Sequence, residues 1–174
     1  MRSMTQPRDN LPPTGRSGLQ DLAAFGVSLS AVVLAAWIGS LFPPAGAGGW
    51  YDQLDRPEWS PPDGLFGPVW TALYALMAIA AWLVWLRRGH RLAVLALAAY
   101  ALQLALNAAW SPVFFGARSP GGGLVVVVAL WVAIVATGVL FARIRPLAAG
   151  LLVPYLLWVT FAAALNAAIW HMNA

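Results

Sequence analysis

The side chains in this sequence that can take part in chemistry are rings and amides rather than acids, bases or thiols. Ten tryptophans stand among 174 residues, with no cysteine and only two histidines. Both histidines are peripheral: His90 sits in a short basic stretch and His171 three residues from the C-terminal end. The six carboxylates, Asp9, Asp21, Asp52, Asp55, Glu58 and Asp63, all lie outside the long apolar runs. A proton relay or ion-coupled carrier needs an ionisable group inside a membrane span, so this distribution argues against both. Without cysteine there is no disulfide framework and no thiolate metal site. Asp52, Asp55 and Glu58 lack EF-hand spacing and have Arg56 among them, which reads as a solvated acidic loop. No catalytic residue, no metal ligand and no required cofactor is assigned.

The rings and amides instead fall on helical stripes. Tyr100, Gln103, Asn107 and Trp110 recur at i, i+3, i+7 and i+10, and Pro154, Trp158, Ala162 and Asn166 recur at steps of four. Trp70 and Tyr74 are four apart on a third segment. Amides facing lipid would be costly, so these stripes turn toward protein or a cavity. One reading is polar contact between neighbouring helices. The other is a cavity lined by indoles and a few amides, suited to a flat, apolar, largely aromatic small molecule. Trp37, Trp82, Trp85, Trp131 and Trp170 read as packing or interfacial anchors.

The elements that must position these stripes follow from composition. With 61% hydrophobic and 9% charged residues, the chain lies outside the range of soluble domains. Five uncharged stretches, about 22–42, 65–86, 92–117, 121–142 and 146–170, each exceed the ~18 apolar residues of a spanning helix. The fold class is an all-α integral membrane protein, a bundle of five transmembrane helices. The first stretch is too long for a signal-peptide core of ~7 to 15 residues, so it reads as a retained span. Residues 1–20, rich in Pro and Arg, read as a disordered cytoplasmic tail, and 21–174 as one domain.

Loop composition adds two expectations. The longest connection, 43–64, holds Trp50, Tyr51, Trp59 and five prolines, and should fold back over the helix ends as a lid. Eight of the ten arginines fall in the tail or in the second and fourth connections, against Arg56 and Arg118 on the other side. Positive residues stay cytoplasmic, which puts the N-terminus inside and the C-terminus outside. Helical spans point to a bacterial cytoplasmic membrane rather than an outer one. The net charge of +4 comes from these short tethers, which touch lipid headgroups and form no nucleic-acid footprint. Finally, Ala98, Ala101, Ala105 and Ala108 form a small-residue stripe opposite the amide stripe of the third span. It predicts a homodimer through the third helix.

Several uncommon motifs occur in order. They are Trp50-Tyr51, Arg56-Pro57-Glu58-Trp59-Ser60-Pro61-Pro62, Phe66-Gly67-Pro68-Val69-Trp70-Thr71 with Leu73-Tyr74, Asn107-Ala108-Ala109-Trp110-Ser111-Pro112-Val113-Phe114-Phe115-Gly116, and Pro154-Tyr155-Leu156 with Trp158 and Leu165-Asn166. In these the chain resembles the TspO family, the tryptophan-rich sensory proteins known in mitochondria as translocator protein or peripheral benzodiazepine receptor. The likeness runs from about Phe25 to Trp170. It implies a five-helix bundle, usually dimeric, that binds porphyrins such as protoporphyrin IX or haem in a pocket beneath the first external loop. The matching pocket positions are Tyr51, Trp70, Asn107, Trp158 and Ala162, with Trp59 and Trp110 nearby. The implied role is a membrane receptor, sensor or transporter. The alternative is an enzyme promoting light- and oxygen-dependent porphyrin degradation, and a third is a scaffold with a vestigial pocket. The steroid motif proposed for animal members finds no Tyr, Lys or Arg from Leu165 to Ala174, so steroid binding by that motif is unsupported.

Overall fold

A computed structural model describes residues 16–42 and 49–174, so most of the expected tail and the start of the lid lie outside the described residues. Five helical spans are present, as the apolar runs require, and no strand occurs among the described residues. Helix α1 covers Arg16–Ser40, α2 Phe66–Trp85, α3 Ala93–Ser111 and α4 Pro120–Ile144. The last span is two helices, α5 over Pro146–Leu151 and α6 over Val153–Met172.

Three departures from the sequence expectation have local causes. Helix α1 begins six residues before the apolar run, so residues 16–20, expected in the tail, are helical. Its first turns are held against the end of α2 and the residues after it: Trp82 Nε1 donates to the Asp21 carbonyl at 2.9 Å, and Arg88 bridges the Asp21 carboxylate at 2.7 Å. The single helix expected over 146–170 breaks at Leu152 instead. Pro154 has no N–H to give the Gly150 carbonyl, and its ring crowds that carbonyl, so the helix restarts one residue earlier. At Pro112, α3 does not stop but widens into a π-helical turn, Pro112–Gly116. Its bonds run five residues back, from Ala117 N to the Pro112 carbonyl at 2.8 Å and from Ser119 N to that of Phe114 at 3.2 Å. Arg118, at φ 51°, then turns the chain in the left-handed conformation common at helix ends. Ser119 starts α4 by accepting from Gly122 N at 3.1 Å, with Pro120 at the first helical position.

The helices close into a ring in which α1 packs on α2 and α3, α3 on α4, α4 on α5 and α6, and α5 on α2. Met77, Val84, Phe141 and Tyr155 fill its centre and are fully buried. Helix α1 is the least embedded, since Val32 and Ala35 are its only buried residues between Gly18 and Ser40. With five spans the start of α1 and the end of α6 lie on opposite membrane faces. The 49–65 loop shares the C-terminal face, where it folds over the ends of α3 and α6 through two 3₁₀ turns, Trp50–Gln53 and Asp63–Leu65.

Candidate ligand-binding site

The polar centre of the bundle is Asn107. Its position on the buried face of α3 lets it meet α2 and α6 at once: the Tyr74 hydroxyl donates to Asn107 Oδ1 at 2.8 Å, and Asn107 Nδ2 donates to the Tyr155 hydroxyl at 3.1 Å. An amide carries two donors and two acceptor lone pairs, so one of each is left for another partner. This one residue serves both readings of its stripe, since it joins helices and retains polar capacity.

Around it stand the rings of α2 and α6. Trp70 stacks on Tyr74 with centroids 5.3 Å apart and meets Tyr155 edge-on at 6.2 Å. Trp158 lies 5.7 Å from Phe66 and 5.6 Å from Phe161, and Phe161 in turn lies 5.8 Å from Trp59. Trp70 and Trp158 are both half-buried, so each indole keeps part of its surface free. Trp158 Nε1 has no hydrogen-bond partner although the atom is enclosed. Ala162, half-buried and one turn beyond Trp158, supplies the small side chain that keeps that side of α6 low.

The remaining expected residues form a second group under the loop. Tyr51 is buried, packed edge-on against Phe114 at 6.1 Å and Phe115 at 5.4 Å, with the Arg56 guanidinium 4.9 Å above its ring. Trp110 stacks on Phe114 at 5.0 Å and donates from Nε1 to Asn166 Oδ1 at 3.1 Å. Asn166 Nδ2 completes that link by donating to the Pro120 carbonyl at 2.7 Å. Asn166 therefore ties α6 to α3 and to the start of α4, away from the Trp158 ring with which its spacing had grouped it. Eight residues turn an α-helix by 80° beyond two full circles, enough to separate the two directions. Phe161 and Trp110 pack against both groups and join them.

Sequence reasoning assigned no role to Phe66, Phe161 and Tyr155. Tyr155 lies three residues before Trp158, about 60° away around α6, and only its long-range partner Asn107 gives it its role. Phe66 and Phe161 carry no polar atom and resemble any other apolar residue of a span. Gln103, in contrast, is on the buried stripe as expected but has neither amide atom partnered.

The arrangement offers partly free ring faces and spare amide capacity, with one enclosed indole N–H that has no partner. Among the described residues no group of histidine, cysteine or carboxylate side chains is placed to hold a metal.

Comparison with known proteins agrees with this architecture. A profile of the TspO/MBR family matches residues 28–171. Protein CrtK of Rhodobacter capsulatus is 44% identical over 153 residues, covering 87% of this chain and 94% of its own. The translocator protein of Homo sapiens is 43% identical over 152 residues, covering 86% and 89%. The tryptophan-rich protein TspO of Chlorobaculum tepidum is 40% identical over 158 residues, covering 88% and 98%. With five spanning helices, the aromatic loop and the ring-and-amide centre in place, this chain is an integral multi-pass membrane protein that belongs to the TspO/MBR family.

Proposed function

We propose that this protein binds porphyrin-type tetrapyrroles between α2, α3 and α6 and acts as a membrane sensor or translocator for them. The observation that carries this reading is the Trp158 indole, half-buried between Phe66 and Phe161 with its N–H unpartnered. In hydrocarbon an unpaired donor is costly, and a flat ligand with a carboxylate, carbonyl or imine nitrogen supplies both a stacking face and an acceptor. Trp70 offers a second ring and Asn107 a polar contact. The Tyr51 and Trp59 loop is the lid, and Trp110 and Ala162 shape the site's edges.

Titration of purified protein with porphyrins, read by Trp fluorescence, tests the reading. No histidine or cysteine stands at the site to ligate iron, so free-base protoporphyrin IX should bind at least as well as haem. Trp158→Ala should weaken binding by roughly 1–3 kcal/mol, the range found for stacking of bases on aromatic side chains. Unchanged affinity removes Trp158 from the site, and no porphyrin binding at micromolar concentration removes the proposal.

A second reading, light- and oxygen-dependent porphyrin breakdown, is favoured by the ring series Trp59, Phe161, Trp158, Phe66, each within 5.8 Å of the next. Within it the indoles are the electron donors: Trp158 can give one electron to an excited macrocycle, which passes it to oxygen, and Trp59 stands beyond Phe161 to refill Trp158. Illumination should then bleach porphyrin in the native protein and not in Trp158→Phe. Equal bleaching in both discards it.

We propose a bacterial cytoplasmic membrane on the helical spans, with the N-terminus inside on the arginine distribution. A periplasm-dependent reporter fused after Ala174 should be active, and activity of a cytoplasm-dependent reporter there would invert the topology.

A further inference from the structure

Two buried polar side chains of α3 lie outside the network centred on Asn107. Gln103 is 1% exposed, and neither its Oε1 nor its Nε2 has a protein partner. Tyr100, one turn nearer the start of the helix, is 5% exposed, and its hydroxyl is unpartnered as well. Other buried polar side chains are bonded: Thr137 to the Ala133 carbonyl, Asn166 to Trp110 and Pro120, and Asn107 to two tyrosines. Gln103 also stands close to the middle of the third span, Ala93–Gly116. At that depth lipid offers no hydrogen bond, so an amide with four unused positions is costly.

Side chains on this face fill only part of that capacity. Gln103 could turn to Asn107, four residues on, since such pairs bond along a helix. Asn107, however, has one donor and one acceptor left, which meets at most half of what Gln103 offers and nothing of the Tyr100 hydroxyl. The Tyr100 ring is held by its stack on Phe141, with centroids 6.0 Å apart, so its hydroxyl stays inside the bundle. Neighbours three or four apart on one helix face have β-carbons ~5–6 Å apart. Two hydrogen bonds through a single water span ~5.5 Å, which matches that spacing.

We infer that Gln103 anchors an internal water site at the centre of the bundle. One or two water molecules bond its amide and link it to the Tyr100 hydroxyl on one side and to the spare donor and acceptor of Asn107 on the other. A buried water needs two to four polar partners, and these three side chains supply them. The polar line through Asn107 therefore runs on, hydrated, for about 10 Å along α3 as far as Tyr100. The water also gives Asn107 a partner that it can exchange for a ligand, so its bonds to Tyr74 and Tyr155 stay intact on binding. The site does not depend on which ligand the rings take.

The test uses the full chain, isotope-labelled and in proteoliposomes, with solid-state NMR reading magnetisation passed from water to side-chain amides. The Gln103 Nε2 protons should show a water contact, identified by its loss in Gln103→Met. Asn166, just as buried but bonded to Trp110 and the Pro120 carbonyl, is the dry control. A soluble paramagnetic chelate should quench the water contact of the exposed Gln53 and leave that of Gln103, which marks the water as internal. In Tyr100→Phe, which keeps the ring on Phe141, the Gln103 contact should weaken because the water loses a partner. Thermal unfolding asks the same question independently. In a dry site Gln103→Met would remove an orphan amide and raise the melting temperature, whereas with water in place it should lower it. Four results overturn the site: no water contact at Gln103, an equal contact at Asn166, quenching together with Gln53, or a raised melting temperature in Gln103→Met.

Discussion

The Asn173 side chain holds the backbone of Asp55 from both sides of the peptide: Asp55 N donates to Asn173 Oδ1 at 3.0 Å, and Asn173 Nδ2 donates to the Asp55 carbonyl at 2.9 Å. The same Nδ2 also donates to the Ile169 carbonyl at 2.8 Å, which fixes the amide to the last turn of α6. The loop over the bundle is thus clasped to the helix that carries Trp158. Residue 173 sits just past the helix, where the sequence alone reads as a frayed end.

Loss of that clasp should free the loop without harming the bundle. Asn173→Ala removes two exposed hydrogen bonds to the loop, for about 1–2 kcal/mol at the usual net value of each. Hydrogen exchange at residues 49–60 should speed up while the centres of α2 to α4 keep their protection. Ligand entry and exit rates should both rise. Unaltered exchange in the loop would show that the Tyr51 packing, not Asn173, holds it.

Asn107 should matter more for stability than the single ligand contact proposed for it suggests. Asn107→Leu leaves the Tyr74 and Tyr155 hydroxyls without their partner. Buried groups left unpaired cost ~1–3 kcal/mol each in water-soluble proteins, but bonds between membrane helices average nearer 0.6 kcal/mol. A loss of about 1–3 kcal/mol is therefore expected. Adding Tyr74→Phe to Asn107→Leu should cost less than the sum of the two changes, since both remove one bond. Strict additivity in thermal unfolding in detergent would mean that the 2.8 Å contact contributes nothing.

Gly123 should tolerate no side chain. A β-carbon there would stand 2.7 Å from Phe114 Cδ2 and 2.9 Å from Asn166 Oδ1. Both neighbours are buried, and Asn166 is fixed by Trp110 and the Pro120 carbonyl, so neither can move freely. Gly123→Ala should destabilise by about 1–3 kcal/mol through overpacking. Gly138, with nothing near its β position, is the control, and Gly138→Ala should be neutral or mildly stabilising. Equal melting temperatures for the two variants would contradict the tight α4–α6 crossing.

What was legible in the sequence was what depends on run length and period. Five uncharged runs gave five spans because a membrane helix needs only enough consecutive apolar residues. The buried face of α3 was legible because Tyr100, Gln103 and Asn107 repeat with the helix and could not all face lipid. Partners were not legible, since Asn107 finds Tyr155 across 48 residues and Asn166 finds Pro120 across 46. Distortions were half-visible: Pro112 and Pro154 marked where the ladder loses a donor, but not that one gives a π-helical turn and the other a break. The peripheral seat of α1 left no periodic signal because alanine and valine cover every side of that helix.

The α3 stripe of Ala98, Ala101 and Ala105 is exposed in the isolated chain, while Tyr100, Gln103 and Asn107 on the other side are buried. Two helices in lipid gain nothing from hiding apolar surface, so they associate where small residues let backbones approach closely. We therefore propose that this face meets its copy about a twofold axis, which makes the contact self-complementary. Ala101→Leu and Ala105→Leu each add bulk at the closest approach. Either should shift the protein toward monomer, judged by crosslinking and native mass in mild detergent. Porphyrin affinity should stay within about twofold of the native value, because neither residue touches the rings of α2 and α6, and sites without shared contacts act independently. Persistent dimers in both variants would move the interface elsewhere on the bundle. Monomers that have lost porphyrin binding would mean that the two faces of α3 are coupled, and that the partner chain completes the site.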